Sequence, residues 1–165
     1  MPITRIDGIS RRAVLGQSLA AWGVAVLAQP LTALARAETK QLTVWKTPTC
    51  GCCGDWVSHL RKSGFEVAIN DVNDTAPIRK QFGLADKFGS CHTARLNGYV
   101  IEGHVPAQEL NRLLAEKPVA LGLAVPGMPM GSPGMEVGST RDAYSVLLVL
   151  SDGSSRIYQS YPSKT

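Results

Sequence analysis

The sequence lacks the features by which proteins usually bind nucleic acid. Aromatic residues make up only 6% of the chain and charged residues 18%, and they nowhere form a basic patch with interleaved aromatic side chains. The chain also has no internal repeat and no linker long enough to separate two domains. We therefore expect a single domain with a modest core and no nucleic-acid partner.

The net positive charge of the chain is small once residues 1–37 are set aside. The formal net charge of the whole chain is +4. Residues 1–37 hold four arginines and one aspartate, a net of +3, so residues 38–165 carry only about +1. The basic character of the chain therefore belongs mostly to its first segment.

That first segment, residues 1–37, has the pattern of an export signal. Arg11 and Arg12 precede an uncharged, mostly apolar run that ends in an A-x-A cleavage site at Ala37. This arrangement is typical of a twin-arginine signal peptide. We expect a periplasmic protein of residues 38–165, with no stable membrane insertion after cleavage near Ala37.

Two other interpretations of this segment remain open. The run from Ala13 to Leu34 is just long enough to span a bilayer as an anchor, although polar residues such as Gln17 and Gln29 dilute it. The general export route is the alternative to the twin-arginine route. Under each interpretation the rest of the chain works outside the cytoplasm.

Cysteine is also scarce, and its few copies are clustered. Three of the four cysteines fall within four residues and the fourth is remote: Cys50, Cys52, Cys53 and Cys91. A strand predicted for residues 42–46 precedes the cluster, and a helix predicted for residues 55–62 follows it. A helix N-terminus favours negative charge, which lowers the pKa of thiols placed there and favours thiolate. The pattern predicts sulfur chemistry at a strand-to-helix turn.

An even number of cysteines in an exported protein ordinarily suggests structural disulfides. Here Cys52 and Cys53 are adjacent, and a bridge between neighbours is strained. A bridge from Cys50 to Cys53 would close too short a loop to add much stability, but this is the spacing of a redox-active turn. We therefore expect these cysteines to serve reactivity or ligation.

The predicted elements follow the order β-α-β-α-β-β-α. After the first strand and helix we predict strand 65–69 and a short helix that is capped by Asp74 or Thr75, turns Ile78 and Phe82 inward and stops at Gly83. A hairpin at Asn97-Gly98 and helix 107–114 follow. A strand–helix–strand unit followed by a hairpin gives an α/β fold with a mixed sheet and flanking helices, similar to thioredoxin. In that arrangement the loop before the third strand, here with Cys91 and His92, faces the cysteine motif.

The C-terminal part extends this arrangement. Residues 124–135 are rich in glycine, proline and methionine, which predicts a loop. Strands predicted for residues 144–149 and 156–159 form a final β-hairpin of the same domain. The fold class we predict is thus thioredoxin-like with a Gly/Pro/Met loop and a hairpin extension.

Four segments together resemble one known family. They are TPTCGCC at 47–53, SCHTA at 90–94, EGHVP at 102–106 and GLAVPGMPMGSPGM at 122–135. On these segments the chain resembles a domain-of-unknown-function family of exported thioredoxin-like proteins that is found with copper-resistance genes. The four segments occur in the family's order, and the resemblance covers nearly all of residues 38–165. The best-known members are the CopG-type periplasmic copper-resistance proteins.

The resemblance implies copper binding in copper resistance, with Cys50, Cys52, Cys53 and Cys91 as ligands of one or more ions. It also implies a role in interconverting Cu(I) and Cu(II), or in passing copper to other periplasmic copper-handling proteins. No substrate reaction follows from it, and we assign no catalytic residue.

The chemistry of the residues agrees with copper. Thiolate and thioether are soft ligands that favour Cu(I). Four cysteines also suit a tetrahedral zinc ion, but structural zinc sites usually use two separate C-x-x-C pairs. Adjacent cysteines rarely point at one ion, so a C-x-C-C run suits several ions that share bridging sulfurs. We expect Cu(I), in a multinuclear cluster, ahead of zinc.

Other side chains complete the set of candidates. The candidate metal ligands besides the cysteines are His92, His104, Met128, Met130 and Met135. Each also suits a structural role: a loop hydrogen bond, the capping of a helix, or packing of the methionine loop over the core. We expect His59 on the surface, and Asp55 as a charge in the first turn of a helix.

The main alternative is thiol-disulfide exchange, for which Cys50 and Cys53 form a C-x-x-C pair. Thioredoxins resemble one another in having a cis-proline before the third strand, where this chain has Cys91 and His92. By that analogy a group that keeps metal away is replaced by one that binds it. Cys52 is also unnecessary for exchange. A chaperone that delivers copper to a partner is the third hypothesis.

Overall fold

The protein is described by a computed structural model over residues 40–165. The predicted export signal, residues 1–37, lies outside these residues. Among the helices of residues 40–165, none is both long and apolar enough to cross a membrane.

The described residues form seven strands, three α-helices and one 3-10 helix. The strands are β1 (Gln41–Lys46), β2 (Glu66–Asp71), β3 (His92–Leu96), β4 (Tyr99–Glu102), β5 (Gly122–Ala124), β6 (Tyr144–Val149) and β7 (Ser155–Tyr161). The helices are α1 (Gly51–Lys62), α2 (Ala76–Gln81) and α3 (Ala107–Glu116), and the 3-10 helix is Asp86–Phe88.

All seven strands belong to one mixed sheet, in the order β2-β1-β3-β4-β5-β6-β7. The pairs β1·β2 and β4·β5 are parallel, and the other four pairs are antiparallel. The parallel pair β1·β2 is connected through α1, as parallel neighbours require a crossover. The predicted mixed α/β architecture with flanking helices is confirmed.

Strand β5 was not predicted, and it changes the role of the final hairpin. It lies parallel to β4 and antiparallel to β6, so it joins β6 and β7 to the main sheet. Gly122 begins this strand where a Cβ atom would overlap the backbone of Val100. The hairpin is therefore a continuous part of one sheet.

The sheet has a core on each face. Ile101 of β4 packs in a large core with Trp56 and Leu60 of α1 and Leu110 of α3. Its neighbour Val100 packs in a smaller core with residues that surround the 3-10 helix. Because successive strand side chains point to opposite faces, α1 and α3 cover one face and the 3-10 segment covers the other.

Helix α2 differs from its prediction in the side chain that it buries. Phe82 packs against the smaller core as predicted, but Ile78 is only half-buried and joins neither core, whereas the side chain of Arg79 is buried. A buried guanidinium needs a partner, and Arg79 finds it in Glu102 of β4. The inward face of α2 is therefore chosen by an ion pair and not by apolar residues alone.

Candidate metal centre

The cysteine motif forms the beginning of α1. Cys50 is the N-cap residue, and Cys52 and Cys53 lie in the first turn. The carbonyl of Cys50 accepts the backbone N–H of Gly54 at 3.4 Å. The predicted helix start at Asp55 was wrong, because α1 begins four residues earlier at residue 51. Asp55 is thus an exposed second-turn residue and not a first-turn charge.

The four cysteine sulfurs meet at the N-terminus of α1. Cys50 and Cys53 are joined in a disulfide, while Cys52 and Cys91 are free. The sulfur of Cys52 lies 3.6 Å from that of Cys50 and 4.0 Å from that of Cys91. The sulfur of Cys91 lies 3.5 Å from that of Cys53. The prediction that the remote cysteine faces the motif is confirmed, and all four sulfurs lie within 4.8 Å of one another.

His104 brings a nitrogen atom to the same cluster. Its side chain is fully buried, and Nε2 lies 3.1 Å from Sγ of Cys91. Nδ1 lies 2.8 Å from the carbonyl oxygen of Pro133. Because a carbonyl only accepts hydrogen bonds, Nδ1 carries the proton and Nε2 presents its lone pair to Cys91. Metal-binding histidines are oriented in this way, with the other ring nitrogen donating.

His92 adds a second buried imidazole. Its Nδ1 lies 3.3 Å from Sγ of Cys91, and its buried Nε2 has no hydrogen-bond partner. The ring packs against Trp56, with ring centres 4.2 Å apart, and edge-on against His104 at 5.0 Å. Cys91, His92 and His104 thus form a second set of potential ligands that shares Cys91 with the cysteine set.

Burial keeps these groups uncharged in the metal-free protein. It raises the pKa of the Cys91 thiol to about 12 and lowers the pKa of His92 to about 3. Burial also lowers the pKa of His104. A thiolate or an imidazolium would be poorly solvated here, so at neutral pH Cys91 is a thiol between two neutral imidazoles. A soft cation that replaces the thiol proton would supply the missing counter-charge.

The loop that carries Cys91 is held by a buried carboxylate. Glu102 is fully buried, and its Oε1 accepts from Nη1 of Arg79 and from the backbone N–H of Ser90, each at 2.7 Å. Its Oε2 accepts from the hydroxyl of Thr93 at 2.6 Å. Burial raises the pKa of Glu102, and the three donors oppose that effect. The sequence analysis missed this network, since Arg79 and Glu102 are 23 positions apart and no local pattern links them.

The Gly/Pro/Met loop reaches the site through its backbone. Gly134 has a φ of +84°, and a Cβ atom there would come within 2.6 Å of the Cys52 carbonyl oxygen and of the Trp56 backbone nitrogen. The neighbouring residue, Pro133, supplies the carbonyl that fixes the tautomer of His104. The loop therefore closes over the first turn of α1.

The three candidate methionines lie on this same loop. Met128 and Met130 are exposed, and Met135 is half-buried. Met128 follows Gly127, whose backbone is hydrogen-bonded to Gly89 and to the hydroxyl of Ser90 beside Cys91. Met128 thus directly follows a residue that is hydrogen-bonded to the Cys91 loop, and its own side chain is open to solvent.

The prediction that His59 lies on the surface was wrong. The side chain is half-buried, and Nε2 accepts the backbone N–H of Ala107 at 3.1 Å. The histidine thereby satisfies an N–H group at the beginning of α3. Nearby, Trp56 donates its indole N–H to the carbonyl of Val105 at 2.8 Å. Two side chains of α1 therefore fix the segment that follows His104.

Comparison with known proteins places the site within a family. Residues 88–135 match the family described as "Protein of unknown function, DUF411". This stretch holds Cys91, His92, His104 and the methionine loop, but it does not include the motif at residues 50–53. No curated protein matches the chain.

Two solved structures match most of the chain. They are described as "Copper resistance protein copG- Form 1" and "Copper resistance protein copG- Form 2". Each is 40% identical to this chain, with a TM-score of 0.71, and the match covers 74% of this chain and 97% or 98% of the solved chain. The chain therefore belongs to the family of CopG-type copper-resistance proteins.

Proposed function

We propose that this protein binds Cu(I) through its cysteine cluster in the periplasm, as part of copper resistance. The observation that carries the proposal is the convergence of four cysteine sulfurs within 4.8 Å of one another. Thiolate sulfur is a soft ligand that prefers Cu(I) to hard cations. The two similar structures are described as copper resistance proteins, which supports copper as the metal.

The arrangement of the sulfurs favours several bridged ions over one. Cys52 and Cys53 are consecutive residues of a helix, so their side chains leave the axis about 100° apart. The sulfur of Cys91 lies 3.5 Å from that of Cys53 and 4.0 Å from that of Cys52. Once the Cys50–Cys53 disulfide is reduced, Cys91 can therefore bridge ions bound by either. We infer a multinuclear Cu(I) cluster with bridging thiolates. A single tetrahedral zinc ion would need no bridging sulfur.

Capture of the metal follows from the electrostatics of the site. The N-terminus of α1 favours the negative charge that develops as copper displaces the protons of the motif thiols, which are released to solvent. Cys91, His92 and His104 stay neutral until the metal arrives, because burial disfavours their charged forms. The cation then compensates the charge of the Cys91 thiolate, and the lone pair of His104 Nε2 completes a ligand position.

The methionines have a separate place in this proposal. Thioether sulfur binds Cu(I) without losing a proton, so Met128, Met130 and Met135 can act as ligands at any pH. Met128 and Met130 are exposed on the loop that borders the cluster. We assign them to the capture of copper at the surface, before it reaches the cysteines.

A redox function is the second candidate, and the Cys50–Cys53 disulfide favours it. The reduced pair can give one electron to each of two Cu(II) ions. The products are two Cu(I) ions, one disulfide and two released protons. Cys52, Cys91, His92 and His104 remain available as ligands for the Cu(I) that is formed. The same pair can instead exchange with a disulfide of another protein, and a chaperone function would add the transfer of Cu(I) to a partner.

The same proposal includes a thioredoxin-like fold and a periplasmic location. A cysteine motif that follows β1 and begins α1, with the loop before β3 facing it, supports a thioredoxin-like arrangement. The twin-arginine pattern at Arg11 and Arg12 supports export, with cleavage near Ala37. In the periplasm the disulfide would be stable until a reductant opens it.

The deciding experiment is a joint count of metal and free thiols. The protein is purified without reductant from cells grown with added copper, and copper and zinc are measured per chain. The same measurement is made on a variant in which Cys50, Cys52 and Cys53 are all serine. We expect copper in the wild-type protein and none in the variant.

The thiol count separates the remaining functions. Bound copper with four protected thiols supports storage or transfer, and loss of copper to a partner protein on mixing would mark a chaperone. A faster conversion of Cu(II) to Cu(I), with disulfide formed in step, would mark the redox function. A metal-free protein with an oxidised Cys50–Cys53 pair would overturn copper binding in favour of thiol-disulfide exchange.

A further inference from the structure

We propose that Glu102, held by Arg79, is the positioning residue that fixes Cys91 against the cysteine motif and thereby sets the affinity of the cluster. This inference rests on the proposed function for its copper readout. Neither Glu102 nor Arg79 belongs to the two sets of candidate metal ligands. Their effect is on the backbone of the loop from which Cys91 projects.

The contacts of Glu102 bracket Cys91 in the chain. Its two oxygens bind the backbone N–H of Ser90, on one side of Cys91, and the hydroxyl of Thr93, two residues beyond it. Both bonds are made by a fully buried carboxylate, at 2.7 and 2.6 Å. Charge-assisted hydrogen bonds of this length are strong and directional, so they fix the loop on both sides of the thiol.

Arg79 is the group that allows a carboxylate to be placed there. Its Nη1 lies 2.7 Å from Oε1 of Glu102 and 3.5 Å from the carbonyl oxygen of Ser90. A buried carboxylate without such a partner would be strongly destabilised. Helix α2, which holds no candidate ligand, therefore contributes to the site by delivering this guanidinium.

The rest of the surroundings leaves the loop little freedom. At Gly103, which has a φ of +69°, a Cβ atom would come within 2.6 Å of the Ser90 hydroxyl. At Gly89 a Cβ atom would come within 3.0 Å of the Arg79 guanidinium carbon. The chain before Cys91 is thus packed against Glu102, Gly103 and Arg79 at once. A loop held this closely can keep the sulfur of Cys91 within 4.0 Å of the sulfurs of Cys52 and Cys53 without a metal.

The chain offers a matched control for this proposal. Glu109 of α3 is also fully buried, and its Oε1 accepts from the hydroxyl of Tyr161 at 2.8 Å. Its second oxygen lies 3.7 Å from Nη1 of Arg112. Glu109 therefore resembles Glu102 as a buried carboxylate that accepts from a hydroxyl and lies near an arginine, but its contacts are with α3 and β7 and not with the cysteine loop.

The test compares Glu102→Met, Glu102→Gln and Glu109→Met with the wild-type protein. Glutamine keeps an acceptor for Ser90 and Arg79 and can donate to the hydroxyl of Thr93, so it should restore the geometry. The first readout needs no metal: reduced, copper-free protein is alkylated, and the rate at Cys91 is followed on the tryptic peptide between Lys87 and Arg95. The motif cysteines lie on a different peptide, which serves as the internal reference.

The expected result is specific to one thiol and one variant. Glu102→Met should accelerate alkylation of Cys91 by about tenfold or more relative to the motif peptide and weaken Cu(I) binding by about 10- to 100-fold. Glu102→Gln should restore both values to within about threefold. Glu109→Met should lower thermal stability but change neither value.

Two results would overturn the proposal. One is an unchanged Cys91 alkylation rate in Glu102→Met, and the other is an equal change in Glu109→Met, which would mark general loosening. Should Glu102→Met not fold, Arg79→Met provides a second test, because loss of the counter-charge disfavours the buried carboxylate that binds Ser90 and Thr93. If the wild-type protein binds no Cu(I), the proposed function fails, while the alkylation rates still decide whether Glu102 positions Cys91.

Discussion

The sulfur of Cys91 lies 3.1 Å from Nε2 of His104, although the two residues are on opposite sides of a β-hairpin. The hairpin β3–β4 returns the chain, so that Cys91, just before β3, and His104, two residues after β4, meet at the same end of the sheet. The helix α1 begins at that end as well, since its motif contacts Cys91. One end of the sheet therefore collects four sulfurs and two imidazoles.

Replacing Cys91 with serine should weaken Cu(I) binding while leaving the fold nearly intact. The side chain is only half-buried and lies in a loop, whereas its sulfur is shared between the two ligand sets. Removal of a residue that only orients a ligand lowers metal affinity by about 10- to 100-fold, and we expect the loss of Cu(I) affinity in Cys91→Ser to be larger. Competition with a chromophoric Cu(I) chelator gives the affinity, and circular dichroism checks the fold. An unchanged affinity would show that the facing loop does not take part in the cluster.

The metal-free protein should lose stability as the pH falls, and His92 should account for part of the loss. The unfolded chain takes up a proton at His92 below a pH of about 6.5, whereas burial lowers its pKa in the native protein to about 3. The contribution of a neutral His92 to the free energy of unfolding is therefore complete above pH about 6.5. It declines as the pH falls from there towards about 3, by up to about 1.4 kcal/mol per pH unit for one proton.

The variant His92→Gln, which cannot titrate, tests this dependence. Its free energy of unfolding, measured with denaturant between about pH 6 and pH 4, should fall less steeply than that of the wild-type protein. Above about pH 7 the two slopes should coincide, which serves as the internal control. Equal slopes throughout would contradict a neutral, buried His92.

Replacing Gly134 with alanine should displace the Gly/Pro/Met loop from α1. The new Cβ atom would come within 2.6 Å of the backbone of Cys52 and Trp56, and backbone atoms cannot move aside cheaply. Gly138→Ala is the matched control, because its φ is also positive but nothing lies within 4 Å of the Cβ position. We expect Gly134→Ala to destabilise the protein by about 1–3 kcal/mol more than the control.

The same pair of variants tests the contribution of the loop to the site. The Pro133 carbonyl fixes the tautomer of His104 by accepting from its Nδ1, and displacement of the loop would move this carbonyl away. Gly134→Ala should therefore weaken Cu(I) binding, while Gly138→Ala should not. Equal stability and equal affinity of the two variants would contradict the close packing of Gly134 on α1.

Changing Met128, Met130 and Met135 together to leucine should slow the uptake of copper without lowering the number of ions bound. Leucine keeps the apolar volume and removes the thioether. Stopped-flow transfer from a Cu(I) chelator measures the rate, and metal analysis measures the final stoichiometry. A lower stoichiometry with an unchanged rate would instead place these methionines in the cluster, and no change in either would remove them from the proposal.

Several elements could be predicted because local sequence decides them. The alternation in residues 42–46 and the Asn97-Gly98 turn gave β1 and the hairpin β3–β4 close to their observed bounds. The start of α1 could not be placed in this way. Glycine at positions 51 and 54 disfavours a helix locally, and the burial of Cys53 and Trp56 against the core overrides that preference.

Other elements could not be predicted because distant partners decide them. Strand β5 has three residues and no alternation, and it exists because β4 and β6 lie on either side of it. His59 lies one turn beyond the exposed Asp55 on α1, yet it accepts the N–H of Ala107, 48 positions away. The burial of Arg79 in place of Ile78 depends in the same way on Glu102.

By itself the sequence determined the candidate ligands of this protein: a C-x-C-C motif between a strand and a helix, a remote cysteine beside a histidine, and a loop that holds three of the four methionines. These follow from residue identity and spacing along the chain. Only the tertiary structure decided that His104 meets Cys91 beside the motif, and that Glu102 and Arg79 bind the loop that carries Cys91. The reason is physical, because these contacts form between segments that adjoin only once the sheet has paired and closed against α1.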